Sequence, residues 1–386
     1  MDIISLDKEY VAGTYNRFPV AIVSGKGSLL TDAEGKQYID MGTGIGVTAF
    51  GSGDEQWVAA VTQQLGKVQH TSNLYYTEPC ARLAQLLCEK TGMKKVFFSN
   101  SGAEANECAI KYARRYSLEK KGSEYSTIIT LENSFHGRTL TTLAATGQEQ
   151  FHKLFQPLTP GFVHVKAGDV EALNKLVAEL KIGGIMLECV QGEGGVVPLA
   201  PEFVKAVAAI CEANDIPLMI DEVQTGNGRT GALYAYMHYG IAPDIVSTAK
   251  GLGGGLPIGA TMVSEKMATV LGAGDHGSTF GGNPVCCAGA LSILSRLDDA
   301  FLSQVQQKSD YIFKALENAE GVASVTGKGL MIGIKTNKEA KEVVAACRQQ
   351  GVLCLTAKDK VRLLPPLNIP MELLKQAVEV IQAACK

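Results

Sequence analysis

The chain has 386 residues, of which 46% are hydrophobic and 19% charged, a composition typical of a globular protein with one large core and a second lobe. The formal net charge is −3 and no basic run exceeds two residues, so a nucleic-acid partner is not expected. No stretch approaches the roughly 20 apolar residues of a spanning helix, and the first twenty residues lack the pattern of a signal peptide, so we expect no membrane association and a cytoplasmic location.

Apolar runs alternate with amphipathic helices through the middle of the chain. The pattern predicts strands at 95–100, 126–132, 184–190, 216–221 and 243–250, and helices at 103–121, 170–180 and 201–215. This alternation predicts an α/β fold with a mostly parallel sheet covered on both faces. Ligands of such sheets bind at the carboxyl ends of strands, so the residues that follow each strand are the candidates for function.

The two ends of the chain have a different pattern. The last hundred residues are typical of a smaller α+β lobe, and the first forty, with the turn "TDAEGKQYID", are expected to join it. We therefore predict a large domain at 46–284 and a small domain formed by 1–45 and 285–386.

The segment "SNSGAEA" (99–105) follows the first of these strands and opens a helix. Ser101, Gly102 and Ala103 lie at the helix N-terminus, where free N–H groups and the helix dipole favour an anion such as a phosphate. Alternatively, Ser101 only caps the helix and Glu104 completes a capping box. The two interpretations are compatible.

The segment "NSFHGRT" (133–139) places Phe135, His136 and Arg138 at the end of the second strand. Phe135 could stack on a flat heterocycle and Arg138 could bind a substrate carboxylate through two hydrogen bonds. Taken singly, such a Phe is more often a core residue and such an Arg more often part of a surface ion pair. After the third strand, "QGEGG" offers Glu193 as its only charged residue, with a flexible turn as the alternative interpretation.

The segment "IPLMIDEVQ" joins a buried strand directly to two acids. Side chains alternate along a strand, so Asp221 and Val223 point one way and Glu222 the other. A carboxylate at the end of a buried strand costs several kcal/mol unless a positive group is near. A protonated ring nitrogen, with Val223 on the face of the ring, would be such a group; a structural ion pair with an arginine is the alternative.

Lys250 ends the strand "DIVSTAK" and is followed by glycines. Burial at this position would lower the pKa of its ammonium, as an amine that adds to a carbonyl requires, whereas most lysines are simply exposed. Further on, "GSTFGGNP" supplies two hydroxyls, Ser278 and Thr279, suited to a phosphate or a carboxylate.

Together these residues describe one ligand, pyridoxal 5′-phosphate. Its phosphate suits the helix N-terminus, its ring suits Phe135 and Val223, its basic nitrogen suits Asp221 and its aldehyde suits Lys250. G-x-x-x-x-G-K-[ST] does not occur, which disfavours P-loop ligands. G-x-G-x-x-G occurs once, as "GNGRTG" (226–231), but not directly after the predicted strand 216–221, as the dinucleotide fingerprint requires. The ten cysteines form no C-x-x-C pair and no His lies at metal-ligand spacing beside them, so we predict no metal and interpret the cysteines as small apolar residues.

The motifs also resemble those of a known family, the class III (ω-amino-acid) aminotransferases. From about residue 27 to the C-terminus, six motifs stand in family order: "NSGAEANECAIKYAR", "FHGRT", "GEGGV", "DEVQTGNGRTG", "TAKGLGGGLPIGA" and "GSTFGGNP". The resemblance implies the fold-type I architecture of pyridoxal-phosphate enzymes. It also implies that Lys250 bonds to the cofactor aldehyde, that Asp221 contacts the ring nitrogen and that Gln224 lies near the ring hydroxyl.

The same resemblance implies the remaining roles. Gly102 and Ala103 bind the phosphate, Phe135 stacks on the ring, and Thr279 reaches the phosphate of the neighbouring subunit in a homodimer with shared active sites. The substrate residues implied are Arg138 for a carboxylate, Ser278 for an acylated donor, and Glu193 with Arg362 of "KVRLLPPL" as a switch that admits first a donor with one carboxylate and then 2-oxoglutarate.

The implied reaction is the transfer of a terminal amino group to 2-oxoglutarate. Among family members, the sequence is most similar to those that use N-acetylornithine. Members that use ornithine, succinylornithine, succinyldiaminopimelate or 4-aminobutyrate share the cofactor motifs, and a catalytically silent protein of the same fold is a further alternative. The chain departs from the family at "GSGDEQ" (51–56), where a "GHCHP"-like stretch is usual, and this difference concerns the donor more than the cofactor chemistry.

Overall fold

The computed structural model describes residues 2–386. In chain order, its strands are β1 Ile22–Lys26, β2 Leu29–Asp32, β3 Gln37–Asp40, β4 Lys95–Ser99, β5 Thr127–Leu131, β6 Phe162–Val165, β7 Ile182–Leu187, β8 Val190–Gln191, β9 Val197–Pro198, β10 Leu218–Asp221, β11 Ile245–Thr248, β12 Gly259–Val263, β13 Val322–Lys328, β14 Met331–Thr336, β15 Val352–Leu353, β16 Leu355–Ala357 and β17 Lys360–Leu363.

The helices surround these strands and pack on both faces of the largest sheet. They are α1 Ile3–Tyr10, α2 Thr43–Gly46, α3 Glu55–Leu65, α4 Glu78–Thr91, α5 Gly102–Lys121, α6 Leu140–Ala145, α7 Glu149–His152, α8 Val170–Glu179, α9 Pro201–Ala213, α10 Pro284–Leu294, α11 Asp299–Leu316, α12 Ala340–Gln349 and α13 Met371–Cys385. Short 3₁₀ turns occupy Ala235–Tyr239, Lys250–Leu252 and Glu265–Met267.

The central sheet has seven strands in the order β4-β12-β11-β10-β7-β5-β6. All of them run parallel except β12, which pairs antiparallel with both β4 and β11. The carboxyl ends of β4, β5, β7, β10 and β11 therefore lie along one edge of the sheet. The predicted α/β class is confirmed, and each of the five predicted strands is present with ends that differ by three residues or fewer. Strands β6 and β12 were not predicted.

Helix α5 connects the first strand of this sheet to the second. Its buried face includes the predicted residues Ala105, Cys108, Ala109, Tyr112 and Tyr116. Asn106, which was not predicted to face inward, is buried among them at 1% exposure. The helix contacts β7, β11 and β12, so its N-terminal turn lies over the carboxyl edge of the sheet.

The two ends of the chain share a smaller sheet of order β1-β2-β3-β15. Strand β15 pairs parallel with β3, with Val352 opposite Ile39. A second small sheet, β13-β14-β17-β16, is antiparallel throughout. One hydrophobic cluster contains both Ile220 of β10 and Leu363 of β17, so the core is continuous between the sheets. The division at residues 45 and 285 stays a prediction.

No helix within residues 2–386 has the length and apolar character needed to cross a membrane. Across the same residues, all ten cysteines are free and no group of three or more His, Cys, Asp or Glu side chains is arranged to hold a metal ion.

Candidate active site

Asp221, the last residue of β10, lies at the carboxyl edge of the sheet and is buried. Its Oδ2 accepts a hydrogen bond from Asn106 Nδ2 at 2.8 Å and lies 2.7 Å from His136 Nδ1. Its Oδ1 accepts the backbone N–H of Val223 at 3.0 Å. Within residues 2–386 the only ion-pair partner of Asp221 is His136, so the alternative of a structural pair with an arginine is not what the structure contains.

Lys250 follows β11 directly and begins a 3₁₀ turn. Its φ of +45° is unusual for a residue with a side chain. Burial lowers the pKa of the Lys250 ammonium, although the charges of Glu193 and Asp221 partly oppose this shift. The same site thus contains the lysine, both carboxylates and Arg362, whose charge also lowers the pKa of Lys250.

The N-terminus of α5 lies beside Asp221. A Cβ added to Gly102 would lie 2.5 Å from Val223 Cγ1, so the helix backbone approaches that side chain as closely as a glycine allows. Because Gly102 and Ala103 are in the first turn, their N–H groups have no acceptor within the helix. The site therefore combines free N–H donors with the carboxylate of Asp221.

Ser101 caps α5, as the sequence predicts, because its Oγ accepts the N–H of Glu104 at 3.2 Å. The predicted capping box differs by one residue: Glu104 Oε2 accepts the N–H of Asn100 at 2.6 Å rather than that of Ser101. This arrangement fixes the turn between β4 and α5.

Phe135 and Arg138 follow β5 and lie against a third aromatic residue. The Phe135 ring is half-buried and meets the Phe151 ring edge-on, with centroids 5.9 Å apart. The exposed Arg138 guanidinium lies 4.2 Å from the Phe151 centroid and 5.5 Å from that of Phe135. Arg138 forms no ion pair in the described part of the chain, so its guanidinium is available to an external carboxylate.

Glu193 and Arg362 form an ion pair between the loop after β8 and strand β17. Arg362 Nη1 also donates to Gln224 Oε1 at 3.2 Å, and Gln224 Nε2 donates to Glu193 Oε1 at 3.4 Å. Burial alone would raise the pKa of Glu193. The charge and hydrogen bond of Arg362, the charge of Lys250 and the hydrogen bond of Gln224 outweigh burial, so the pKa of Glu193 is lowered overall. Glu193 and Arg362, which were predicted as a pair, are thus in contact with each other and with Gln224, which was predicted separately.

Ser278 and Thr279 occupy a different position. Ser278 Oγ accepts from Asn100 Nδ2 at 3.0 Å and so lies beside the turn that contains Ser101. Thr279 is exposed in a groove that is also lined by Leu74, Tyr75 and Tyr76. Within residues 2–386 the Thr279 side chain forms no hydrogen bond. In a single chain, Thr279 is therefore not connected to the residues around Lys250.

Two buried polar residues of the site, Glu188 and Asn106, were not predicted from the sequence. Glu188 follows β7 and accepts the N–H groups of Phe135 at 3.0 Å and of Gly192 at 3.4 Å, which joins two loops of the site. Burial raises the pKa of Glu188 to about 7. Each residue carried a signal, since a Glu ends the apolar run "GIMLE" and an Asn lies on the apolar face of α5.

These groups fit pyridoxal 5′-phosphate. Asp221 Oδ1 accepts one backbone hydrogen bond and retains capacity for a ring N–H. The free N–H groups at the α5 N-terminus suit a phosphate, and a half-buried lysine with a lowered pKa suits an aldehyde. The absence of a Cβ at Gly102 leaves room for Val223 beside the helix.

Comparison with known families gives one match that covers nearly the whole chain. The model of the aminotransferase class-III family matches residues 10–385. Among curated proteins, the acetylornithine aminotransferase of Haemophilus ducreyi is 51% identical over 381 residues, which cover 98% of this chain and 97% of the relative. The acetylornithine aminotransferase of Caldanaerobacter subterraneus is 45% identical over 386 residues, 98% of each chain.

Solved structures with the same fold include enzymes with different donors. The N-acetylornithine aminotransferase of Stenotrophomonas maltophilia is 33% identical with a TM-score of 0.85, and the match covers 99% of this chain and 98% of the other. The ornithine aminotransferase of Toxoplasma gondii is 30% identical with a TM-score of 0.95, over 99% of this chain and 94% of the other. The fold therefore does not separate the two donors.

Proposed function

Because the chain belongs to the class III aminotransferases, which are pyridoxal-phosphate enzymes, we propose that it transfers the terminal amino group of N-acetyl-L-ornithine to 2-oxoglutarate. The products are N-acetylglutamate 5-semialdehyde and glutamate, a reaction of arginine biosynthesis. The observation that carries this proposal is the identity of 51% and 45% with two curated acetylornithine aminotransferases along nearly the entire chain.

The residues that would hold the phosphate and the ring of the cofactor come from three separate segments of the chain. The N–H groups of Gly102 and Ala103, with Ser101, would bind the phosphate at the N-terminus of α5. Phe135 and Val223 would lie on the two faces of the ring. Asp221 Oδ1 would accept the ring N–H and Gln224 would lie near the ring hydroxyl.

When bound, pyridoxal phosphate supplies an aldehyde that takes up the amino group and a ring that withdraws electrons from the adjacent carbon. Lys250 is the group that moves the proton at that carbon. Its Nζ must be a free amine to accept a proton, and the lowered pKa of Lys250 favours this form near neutral pH. The later return of a proton is made by the same Nζ.

The residues proposed to bind substrate differ in part between the two half-reactions. Arg138 would bind the carboxylate that N-acetylornithine and 2-oxoglutarate share, because its guanidinium has no acidic partner in the described chain. Glu193 neutralises Arg362 while the donor with one carboxylate is bound. When 2-oxoglutarate enters, its second carboxylate would replace Glu193 on Arg362. Ser278 would contact the acyl group of the donor.

A second candidate donor is free ornithine, because an ornithine aminotransferase has the same fold at a TM-score of 0.95. Free ornithine carries a charged α-amino group where N-acetylornithine carries a neutral amide. Among the site residues, Ser278 is the neutral polar group proposed for this part of the donor, which favours the acylated compound.

The test is a panel of donors with 2-oxoglutarate as acceptor, in which the glutamate formed is measured for N-acetylornithine, succinylornithine, succinyldiaminopimelate, ornithine and 4-aminobutyrate. We expect kcat/KM for N-acetylornithine to exceed that for ornithine and 4-aminobutyrate at least about 10-fold, equal to about 1.4 kcal/mol. A higher value for either of those two donors would contradict the proposal. Lys250→Arg serves as the inactive control and Lys341→Arg, an exposed change, as the active one.

We further propose that two copies form a homodimer with shared sites and act in the cytoplasm. Support for the dimer comes from the exposed apolar side chains beside Thr279: Leu74 is 87%, Tyr75 70% and Phe280 59% exposed. A cluster of this kind is costly in water unless a partner covers it. Thr279 of one copy would then reach the phosphate bound by the other.

A further inference from the structure

Segment 51–56, in which the chain departs from the family, leads into helix α3 and the only tryptophan of the chain, Trp57. Asp54 is the N-cap of this helix, and its Oδ1 accepts the backbone N–H of Trp57 at 2.9 Å. The carboxylate of Asp54 is held in turn by Arg296, whose Nη2 lies 2.8 Å from Oδ1 and whose Nη1 donates to Oδ2 at 3.0 Å. None of these residues has a role in the proposed function.

Arg296 is itself anchored at the end of α10. Its Nε donates to the backbone oxygen of Ser292 at 2.7 Å, and its guanidinium lies 4.0 Å from the centroid of the Phe50 ring. A carboxylate that is bound by two N–H groups of one guanidinium has a fixed orientation as well as a favourable energy. The first turn of α3 is therefore fixed against α10, which limits the positions open to the Trp57 side chain.

The indole of Trp57 reaches the turn that follows Lys250. Its Nε1 donates to the backbone oxygen of Gly253 at 3.0 Å. The N–H of Gly253 donates to the backbone oxygen of Lys250, also at 3.0 Å. Gly253 therefore connects the two residues, because its N–H is bonded to Lys250 and its carbonyl is bonded to Trp57.

The carbonyl of Gly253 depends on the indole for its better hydrogen bond. Its one other bond within residues 2–386 comes from the N–H of Leu256, at the longer distance of 3.3 Å. Gly253 is buried, so no water replaces a lost donor easily. Because a buried carbonyl without a good donor is destabilising, removal of the indole N–H should loosen the turn.

The backbone on both sides of the indole approaches it closely. A Cβ at Gly254 would lie 3.0 Å from Trp57 Nε1, and a Cβ at Gly289 of α10 would lie 2.9 Å from it. Residues with side chains at these positions would therefore displace the indole or be displaced by it. The indole fills the space between the turn and α10, with little room to tilt its N–H toward another acceptor.

The backbone of Lys250 needs support from its surroundings. Its φ of +45° lies in the left-handed region, which a residue with a Cβ adopts rarely. On the N-terminal side of Lys250, Asn227 Nδ2 donates to the backbone oxygen of Ala249 at 3.2 Å. On its C-terminal side, the turn receives one side-chain hydrogen bond within residues 2–386, that of Trp57. One side chain thus holds each end of the turn.

We propose that Trp57 is a positioning residue for Lys250: its indole N–H holds the carbonyl of Gly253 and so keeps the turn in the conformation that directs the lysine amine into the site. This inference rests on the proposed function, which takes Lys250 as the group that bonds to the cofactor and moves the proton. Without the indole N–H, the turn gains alternative conformations and Nζ occupies its reactive position for less of the time. Proton transfer then slows, whereas donor binding, which depends on other residues, changes little.

The test removes the N–H of Trp57 and leaves the rest of the chain unchanged. Benzothienylalanine in place of Trp57 keeps the bicyclic shape and has sulfur where the indole has N–H; because Trp57 is the only tryptophan, no other residue is replaced. Trp57→Phe removes the donor with a smaller ring. Fluorotryptophan, which keeps the N–H, is the matched control, and Val58→Ala is a control at an exposed position of α3. Thermal unfolding identifies which removal variant keeps the wild-type transition, and that variant is compared with wild type.

Two readouts are measured on the full holoenzyme. The first is amide hydrogen exchange by mass spectrometry, which we expect to be at least about 10-fold faster in the turn that contains the Gly253 N–H and unchanged in the central sheet. The second is the single-turnover reaction with the donor that the panel identifies. We expect its rate constant to fall at least about 10-fold and its half-saturating donor concentration to change less than about 2-fold.

The controls decide whether the N–H itself is responsible. The fluorotryptophan protein and Val58→Ala should match wild type in both readouts. A removal variant that equals wild type in either readout would overturn the proposal. So would a fluorotryptophan protein with losses as large as those of the removal variant.

Borohydride reduction of the wild-type protein, followed by peptide mass spectrometry, separates this inference from the function on which it rests. The expected result is cofactor attached to Lys250. If none is found there, the proposed function fails whatever Trp57 does. If Lys250 carries the cofactor and the removal variant behaves as wild type, only the role of Trp57 fails.

Discussion

Lys250 differs from an ordinary lysine in its backbone, its environment and its charge. Its φ of +45° lies in the left-handed region, which residues with a Cβ adopt rarely and mostly where the surroundings enforce it. Two turn hydrogen bonds, Leu252 N to Ala249 O at 2.9 Å and Gly253 N to Lys250 O at 3.0 Å, fix this conformation. The side chain is thereby directed into the site instead of into water, where most lysines lie.

The ion pair of Glu193 with Arg362 predicts an effect of Glu193→Gln on donor choice. The amide keeps the shape of the side chain but removes the charge that neutralises Arg362. The kcat/KM of a substrate with a second carboxylate should therefore rise, and that of a substrate without one should fall. We expect the ratio of kcat/KM for N-acetylornithine to that for glutamate to fall at least about 10-fold. Steady-state kinetics of both half-reactions measure it, with the exposed Glu372→Gln as control; an unchanged ratio would argue against the switch.

Glu222 predicts a pH dependence of stability. Burial raises the pKa of Glu222 from 4.5 to about 7, against the hydrogen bonds from Thr225 and from the backbone at 235 and 236. Between pH 4.5 and 7 the unfolded chain releases this proton while the folded protein keeps it, so the wild-type protein loses stability as the pH rises through that window. Glu222→Gln imitates the protonated acid and does not titrate.

As the pH rises from 4.5 to 8, the free energy of unfolding of Glu222→Gln should therefore increase by about 3 kcal/mol relative to that of wild type. This value follows from about 1.4 kcal/mol for each pH unit of pKa shift. The measurement is the difference between the unfolding midpoints of wild type and Glu222→Gln, determined once at pH 5 and once at pH 8. Cofactor and protein concentrations are held equal. Because other acids titrate equally in both proteins, the difference isolates Glu222. A difference that is constant with pH, or larger at pH 5, would contradict the prediction.

At the residue scale, the sequence identified groups that follow strands but not the partners of those groups. Asp221 and Lys250 were predicted because each ends an apolar run at the edge where parallel strands terminate. His136 and Asn106 meet Asp221 from 85 and 115 positions away in the chain. No local pattern encodes such a hydrogen bond. The left-handed φ of Lys250 could not be predicted from the sequence either, because it depends on the turn around this residue.

At the scale of elements, the first turn of α5 and the segment after β10 form one unit. The Cβ of Gly102→Ala would lie 2.5 Å from Val223 Cγ1, and the β-branched Val223 has few alternative rotamers. Val223 must therefore move from its present position beside the helix. We expect a loss of cofactor affinity of at least about 10-fold with the fold retained.

Fluorescence titration of the apoenzyme with pyridoxal phosphate measures this loss. The matched control is Gly13→Ala, because a Cβ at Gly13 meets no atom within 4 Å. Equal affinities for the two variants would show that the contact between α5 and Val223 does not shape the cofactor site.

The elements of the central sheet were predictable to different degrees. Helix α5 was predicted within one residue because its Ser cap and its apolar face are both local signals. Strand β12 was missed, since it follows a glycine-rich loop and runs against the direction that strand–helix alternation implies. Strand β6 has four residues, too few for a clear periodic pattern.

At the scale of the whole molecule, the position of Thr279 predicts complementation between subunits. If Thr279 serves the partner's site, neither Lys250→Ala nor Thr279→Ala homodimers are fully active. A mixed dimer contains one site with an intact Lys250 from one subunit and an intact Thr279 from the other. Co-expression with two affinity tags should therefore recover activity close to half that of the wild-type dimer.

The control for this experiment is a mixed dimer of the double variant with wild type, which places both substitutions in one subunit and leaves neither site complete. Activity in the first mixed dimer above that of both parents is the expected result. Activity no higher than that of the better parent would show that each chain completes its own site.

The pairing of β3 with β15 has a consequence for how the polypeptide reaches this fold. Ile39 lies opposite Val352, roughly 300 residues later in the chain. At a translation rate of about 5–20 residues per second, β3 emerges from the ribosome on the order of 15–60 seconds before its neighbour exists. During that interval the edge of β3 is unprotected, so newly made chains are most exposed to aggregation or chaperone capture there, and the sheet closes only when synthesis is almost finished.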